Sequence, residues 1–340
     1  MSLFADIITN KVIPAAPKYA AIIGAAPSKG ARSPLLWNAV FKAEGIVCEM
    51  VPFDVPENRI KALVAALKAD KNFVGGAVAA PHKILIMAHL DEIEPEAKHI
   101  GATNAIYRRG DKLVGANTDG AGALPALRDI AGGSLAGKQA LVIGIGGAGR
   151  AVAVYLAGEV ERLVLSNRNR GAAATLAGAV HSKAKTETCD WPPPKNVLND
   201  IDILINCSSV GFETVKNVTG GQITLKGATP LAPFEPRAVT AAGGDFAAAF
   251  SAANKAALDD NIARSREALA ALPATAIVFD AVYQPLRTRL IDLAEARGLR
   301  TLNGSEMNIE QAVIAFVKAV PGDPKIERVR QLMQERARQA

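Results

Sequence analysis

Lys83, in Ala80-Pro81-His82-Lys83, and Asp119, in Asn117-Thr118-Asp119-Gly120, are residues whose types can move a proton. A lysine ammonium polarises a ketone and donates to the developing alkoxide, while a carboxylate beside it holds it in place. Each residue also has a plainer explanation. Lys83 falls at about the third position of a helix that begins with proline. There it opposes the helix dipole at a cost of a few tenths to about 1 kcal/mol, and a surface lysine laid along apolar neighbours would account for it equally. Asp119 stands between a strand and a helical stretch from Ala121, where aspartate is a natural N-cap. Asn104, in Gly101-Ala102-Thr103-Asn104, enters a strand; once buried it must find partners, so it braces a loop or binds substrate hydroxyls.

A second constellation is Gly144-Ile145-Gly146-Gly147-Ala148-Gly149, which follows an apolar strand and opens a helix over 150–157. In a Gly-x-Gly-x-x-Gly turn the first glycine permits the bend, the second lets backbone approach a pyrophosphate, and the third packs helix against strand. The helix N-terminus then offers free N–H groups and a positive dipole end to the phosphates. The pattern alone is weak, but the strand before it, the helix after it and the next strand at the right distance strengthen it. That next strand ends in Ser166-Asn167-Arg168-Asn169-Arg170 instead of an acid. An acid would accept from the ribose hydroxyls of NAD, whereas Arg168 and Arg170 can hold a 2′-phosphate through charge-assisted bonds. The expected cofactor is NADP.

These residues need a frame, and short strands alternating with helices supply it. Strands are expected at Tyr19–Gly24, Ile46–Phe53, Phe73–Ala79, Asn104–Tyr107 and Leu113–Ala116, with helices near Leu35–Ala43, Pro56–Leu67 and Pro81–Leu90. Ile60, Leu63, Val64 and Leu67 share one helical face. A Gly- and Ala-rich stretch over 131–138 has the composition of a connector between domains. Beyond it the alternation resumes, with strands at Gln139–Gly144, Leu163–Ser166, Ile203–Asn206 and Ile277–Asp280. The predicted class is α/β in two domains, an N-terminal α/β substrate domain plus a Rossmann-type dinucleotide-binding domain. The expected boundaries are 1–120, 121–303 and a C-terminal helical segment, 304–340, returning to the first domain. Residues 217–272 exceed an ordinary connection and read as an insertion, a lid or an oligomer contact.

The 340 residues carry 39 Lys and Arg against 33 Asp and Glu, a net charge of +6 with no basic stripe interleaved with aromatics. Nucleic acid is not an expected partner; an anionic small molecule fits better. Three cysteines, Cys48, Cys189 and Cys207, suggest a reducing compartment without a disulfide framework. The four histidines, His82, His89, His99 and His181, make no zinc-like spacing. Residues 1–11 lack a cleavable leader pattern, and no apolar run reaches the roughly 18 residues of a membrane span. The expectation is a cytoplasmic enzyme, monomer or homodimer, with no membrane and no metal.

Taken in order, these stretches resemble the shikimate dehydrogenase family: Gly24…Ser33-Pro34…Asn38, Pro81-His82-Lys83, Gly101–Asn104, Asn117–Gly120, Gly144–Gly149, Asn167-Arg168, Asn206…Gly211, Tyr283-Gln284-Pro285 and Gly304…Gln311. The resemblance implies a Lys83/Asp119 acid–base pair and a substrate site including Ser33, Asn104, Tyr283 and Gln311. It also implies NADP contacts at Gly144, Gly146, Gly147, Ala148, Gly149, Asn167, Arg168, Arg170, Ser208 and Gly304. The implied reaction is hydride transfer between NADPH and a cyclic keto acid, the 3-dehydroshikimate/shikimate couple or an analogue, in aromatic amino acid biosynthesis.

Departures from the family fall around the substrate. Its loop carries two serines flanking a basic residue before proline; here it reads Ala31-Arg32-Ser33-Pro34 and is one residue longer. The family's Asn-Val-Thr is Ala77-Val78-Ala79, Ala105 replaces a threonine and Phe212 a methionine. Hydrogen bonds to a charged group are worth about 1.5–3 kcal/mol each, so losing two costs about 3–6 kcal/mol, or roughly two to four decades in specificity. A divergent enzyme acting on quinate, aminoshikimate or another secondary alcohol is therefore an alternative, as is a dinucleotide-binding regulator without turnover.

Overall fold

The computed structural model describes residues 4–180, 184–240 and 245–339. The first three residues, His181 and the centre of the expected insertion lie outside these. The chain divides into two compact units, Met1–Ala123 with Met307–Ala340, and Leu124–Glu306.

The first unit is built on β1 (Tyr19–Gly24), α1 (Ser33–Ala43), β2 (Glu49–Asp54), α2 (Ile60–Ala69), β3 (Phe73–Val78), α3 (His82–Leu85), β4 (Glu92–Ile93), α4 (Pro95–Ile100), β5 (Ala105–Arg109) and β6 (Lys112–Ala116). Its sheet runs β2-β1-β3-β5-β6-β4, with β5 antiparallel to both neighbours. Both faces are covered, so β1 and β3 are buried throughout, as apolar runs without alternation demand. On one face Ile60, Leu63, Val64 and Leu67 of α2 pack with Phe53 and Phe73. On the other, Trp37 and Phe41 of α1 meet Phe316, Leu332 and Met333, which come from the far end of the chain. Those last residues lie on α11 (Ser305–Ala319) and α12 (Ile326–Arg338).

Between them, α5 (Asp119–Ala131) leads into β7 (Gln139–Ile143), α6 (Gly147–Leu156), β8 (Arg162–Ser166), α7 (Arg170–Val180), β9 (Lys185–Cys189), α8 (Lys195–Leu198) and β10 (Ile203–Asn206). A hairpin of β11 (Lys216–Val218) and β12 (Gly221–Ile223) precedes α9 (Phe246–Ala271), β13 (Ile277–Asp280), α10 (Arg289–Ala296) and β14 (Arg300–Asn303). The second sheet is entirely parallel, in the order β14-β13-β10-β7-β8-β9. Counted from β7, that is the doubly wound order of a Rossmann sheet, which reverses between β7 and β10.

Three expectations are corrected. Residues 131–138 are not a linker between units: Leu135 is buried, and the boundaries fall inside α5 and α11. The helix over 81–90 is a four-residue α3 followed by a 3-10 turn at Ile86–His89. It stops because the Lys83 carbonyl accepts from the Thr103 N–H, 2.7 Å away, instead of continuing the ladder. The helix after the glycines starts at Gly147 rather than Arg150, so the last two glycines belong to its first turn. Within the expected insertion, α9 is anchored. Ala268 and Leu269 join the second unit's core, and buried Asn254, Asn261 and Ser265 hydrogen-bond the segment from Thr229 to Arg237. Composition alone missed β9 and β14, both of them edge strands with mixed polarity.

Candidate functional site

In the first unit the end of β6 and the start of α5 bring Asp119 beside α3, where its Oδ2 accepts from Lys83 Nζ at 2.5 Å. The two side chains are 17% and 5% exposed, so the pair is largely withdrawn from water while the ammonium keeps an opening. Asp119 is the first residue of α5 rather than its N-cap. Asn117 Oδ1 receives the Asp119 N–H at 3.0 Å, which leaves the Asp119 carboxylate free for other partners.

Asn104 locks the other side of that carboxylate. Its Nδ2 donates to Asp119 Oδ1 (2.8 Å), Thr118 Oγ1 (2.9 Å) and Gln311 Oε1 (3.1 Å), and its Oδ1 accepts from the Thr118 N–H (2.7 Å). Thr118 Oγ1 in turn donates to the Gln311 carbonyl at 2.9 Å. Lys83, Asn104, Thr118, Asp119 and Gln311 thus form one connected polar cluster, drawn from α3, α5, α11 and the turns entering β5 and α5. Its geometry can orient an ammonium and present amide groups to a polyhydroxylated ligand. Thr118 was not singled out by sequence; the Asn-Thr-Asp triplet around it is the signal that held it. Ser33, buried at the start of α1, belongs to the same unit. Ser28, the hydroxyl of the lengthened loop, donates to Asp54, and Ala79 packs with the Trp37 cluster.

In the second unit the glycine turn sits at the C-terminal end of β7, at the switch point where such sheets bind ligands. Gly144 has φ +91°, and a Cβ there would lie 2.7 Å from the Ser208 nitrogen. A Cβ on Gly149 would lie 1.9 Å from the Gly144 carbonyl, so strand and helix touch through backbone. At Gly146 a Cβ would meet nothing within 4 Å: the backbone faces open space. Gly147 and Ala148 open α6 beside it. An N–H lining with one bare position fits a dinucleotide's pyrophosphate.

Asn167, past β8, accepts from the Ile145 N–H at 3.1 Å and so braces this turn. The Arg168 guanidinium lies 5.8 Å over the Trp191 ring. Arg170 pairs with exposed Asp190 at 2.9 Å, which offsets part of its charge toward a phosphate. Ser208 is held to Asn206, through its N–H and its hydroxyl. Gly304 follows β14, where a Cβ would collide with the Ala281 carbonyl. Tyr283 belongs to this unit too, its ring edge-on to Phe212 at 5.8 Å.

One residue here escaped the sequence reading. Asp280 ends β13 fully buried, and burial pushes its carboxyl up to about 6 against the hydrogen bonds it accepts from Thr288, Val282 and Asn206. An acid closing the apolar run Ile277–Phe279 was the available signal. Among the described residues no group of His, Cys, Asp and Glu could hold a metal, and no helix is long and apolar enough to cross a membrane.

Residues 22–106 match the family model of the shikimate dehydrogenase substrate binding domain, and residues 126–219 that of shikimate / quinate 5-dehydrogenase. The shikimate dehydrogenase (NADP(+)) of Symbiobacterium thermophilum is 33% identical over 297 residues, 85% of each chain. Among solved structures, shikimate 5-dehydrogenase of Thermus thermophilus in complex with NADP(H) and shikimate aligns with a TM-score of 0.68 at 26% identity, covering 94% of this chain and 99% of that one. The ligand-free 5-ketofructose reductase of a Gluconobacter strain aligns with a TM-score of 0.66, also at 26% identity, covering 94% and 98%.

Proposed function

The chain belongs to the shikimate dehydrogenase family, and from that premise we infer that it is an NADP-dependent oxidoreductase interconverting a cyclic hydroxy acid and its ketone, shikimate and 3-dehydroshikimate or a close analogue. The observation that carries the reading is the Lys83–Asp119–Asn104–Gln311 cluster. A lone surface lysine would not be met by a 5%-exposed carboxylate that is itself fixed by a fully buried amide. A regulator without turnover has no use for such a pair.

NADPH, when bound, supplies the hydride. It fits Gly144 to Gly149 by the backbone cradle, and Asn167 and Arg168 by the absence of an acid where a 2′-phosphate must go. In the direction of ketone reduction, Lys83 donates its hydrogen bond and then its proton to the carbonyl oxygen as negative charge develops there. Asp119 aims the ammonium and is left to stabilise it in the reverse direction. Asn104 and Gln311 orient ring hydroxyls, and Ser33 supports the substrate's other end.

A second reading is favoured by the loop over 25–34. The hydroxyl of Ser28 donates to Asp54, and Ala31 and Ala79 carry no hydroxyl, so the two positions where the family has donors offer none and Arg32 with Ser33 is left to meet an acid. Chemistry is retained while the substrate's acid end is less well met, and a relative of the same fold carries the name of a ketofructose reductase.

The deciding experiment follows NADP reduction by absorbance with shikimate, quinate and related cyclic alcohols, and NAD as control. Turnover of shikimate with kcat/KM of about 10⁴ M⁻¹s⁻¹ or more supports the first reading. Turnover only of another alcohol supports the second, and absence of any turnover alongside NADPH binding overturns both.

A further inference from the structure

Two side chains at the switch point of the second sheet belong to no step above. Asn206 ends β10 and Asp280 ends the adjacent β13; both are fully buried and they stand opposite each other in the strand register. Asn206 Nδ2 donates to Asp280 Oδ1 at 2.8 Å and to the Val210 carbonyl at 3.2 Å. Its Oδ1 accepts from the Ser208 N–H at 2.9 Å and the Ser208 hydroxyl at 2.7 Å. Ser208 in turn presses its backbone on Gly144, the first glycine of the dinucleotide turn.

An asparagine amide can sit in its pocket either way round, with oxygen and nitrogen exchanged. The Ser208 N–H and the Val210 carbonyl disfavour the exchanged form, and Asp280 Oδ1 reinforces them. It already accepts from the Val282 N–H at 3.1 Å, and a carboxyl oxygen facing a second oxygen would be repelled. Asp280 Oδ2 accepts from Thr288 Oγ1 at 2.6 Å, and the same hydroxyl caps α10 by accepting from the Ile291 N–H at 3.3 Å. One carboxyl therefore joins the turn after β10, the turn after β13 and the start of a helix. No salt bridge partners it among the described residues, and a buried acid without a cation costs stability.

We propose that Asp280 is a positioning residue for the cofactor: by fixing the amide orientation of Asn206 it sets the Cys207–Gly211 turn against the glycine loop in the shape that accepts NADPH. The inference rests on the reading of the second unit as the NADP site.

The test titrates NADPH by its fluorescence into the full-length wild type, Asp280→Ala, Asp280→Asn and Thr288→Val, each checked for folding by circular dichroism, with KM measured for NADPH and for the alcohol or ketone separately. Asp280→Ala is expected to weaken NADPH binding tenfold or more, with substrate KM within twofold. Asp280→Asn keeps an acceptor toward Asn206 and donates to Thr288 Oγ1, so it is expected to stay within threefold of wild type. Thr288→Val, which frees one side of the carboxyl, is expected to weaken NADPH threefold to tenfold. If Asp280→Ala fails to fold, the other two variants decide. The proposal is overturned if folded Asp280→Ala or Thr288→Val binds NADPH as wild type does, if Asp280→Asn binds no better than Asp280→Ala, or if both KM values rise together. Failure of the wild type itself to bind NADPH would instead overturn the NADP reading.

Discussion

Lys83 and Asp119 are 36 residues apart, and what joins them is the Asn104 amide as much as their opposite charge. A general acid that is only positioned, not anchored, loses most of its advantage, because proton transfer needs heavy atoms within hydrogen-bond reach. Lys83→Ala is therefore expected to lower kcat by about 10²- to 10⁴-fold while the NADPH Kd changes less than twofold; steady-state rates and fluorescence titration check both. A collapse of NADPH affinity would put Lys83 at the cofactor instead of the substrate. Asn104→Ala removes the donor shared by Asp119, Thr118 and Gln311. It is expected to destabilise the chain by about 1–3 kcal/mol in urea unfolding and to raise substrate KM, since buried acceptors are left unmet.

At the scale of elements, the strand-to-helix turn from β7 into α6 separates structural from functional glycine. Gly149 has no room for a methyl group, with backbone oxygen at 1.9 Å, whereas Gly146 has φ −83° and open space. Gly149→Ala is expected to destabilise the second unit by several kcal/mol, through the displacement of α6 from β7. Gly146→Ala should leave the melting temperature unchanged within the error of about 0.5 kcal/mol for a benign surface change, yet weaken NADPH at least tenfold. Calorimetry of the ligand-free protein next to NADPH titration distinguishes the two; a cofactor-neutral Gly146→Ala would remove the pyrophosphate from this turn. Helix α12 carries a different burden: Val329, Leu332 and Met333 close the Trp37–Phe316 cluster, far in sequence from α1.

For the whole molecule Asp280 adds one component to the pH response of stability. Its carboxyl binds a proton more tightly in the folded chain, at about 6, than at its ordinary 3.8. Between those values the folded state holds more protons than the unfolded one, so this group's contribution is complete below about pH 4 and is lost as pH rises through about 6. The loss is on the order of 3 kcal/mol. Urea midpoints at pH 4.5 and pH 7.5 for wild type and Asp280→Asn check it: the wild type should lose stability relative to the variant across that interval. Parallel behaviour of the two proteins would mean that Asp280 does not titrate there.

Much of this was legible before any coordinates. Short apolar runs such as those at 141–143 and 203–205, bounded by turn signals, point to strands buried on both faces, and the glycine spacing to a strand-to-helix turn, because both signals are local. The Lys83, Asp119 and Asn104 motifs were visible as residue types with two explanations each. Tertiary structure decided which of these side chains meet. Whether Lys83 lies along the surface or meets a carboxylate depends on the fold bringing Asp119 to it from 36 residues on. Whether Asp119 caps its helix depends on Asn117 having taken that duty. The strand order β14-β13-β10-β7-β8-β9, which places Asn206 between Gly144 and Asp280, is a matter of long-range pairing. Local composition carries the period of an element; only packing carries the identity of its neighbour, because the energy that selects a neighbour comes from residues tens or hundreds of positions away.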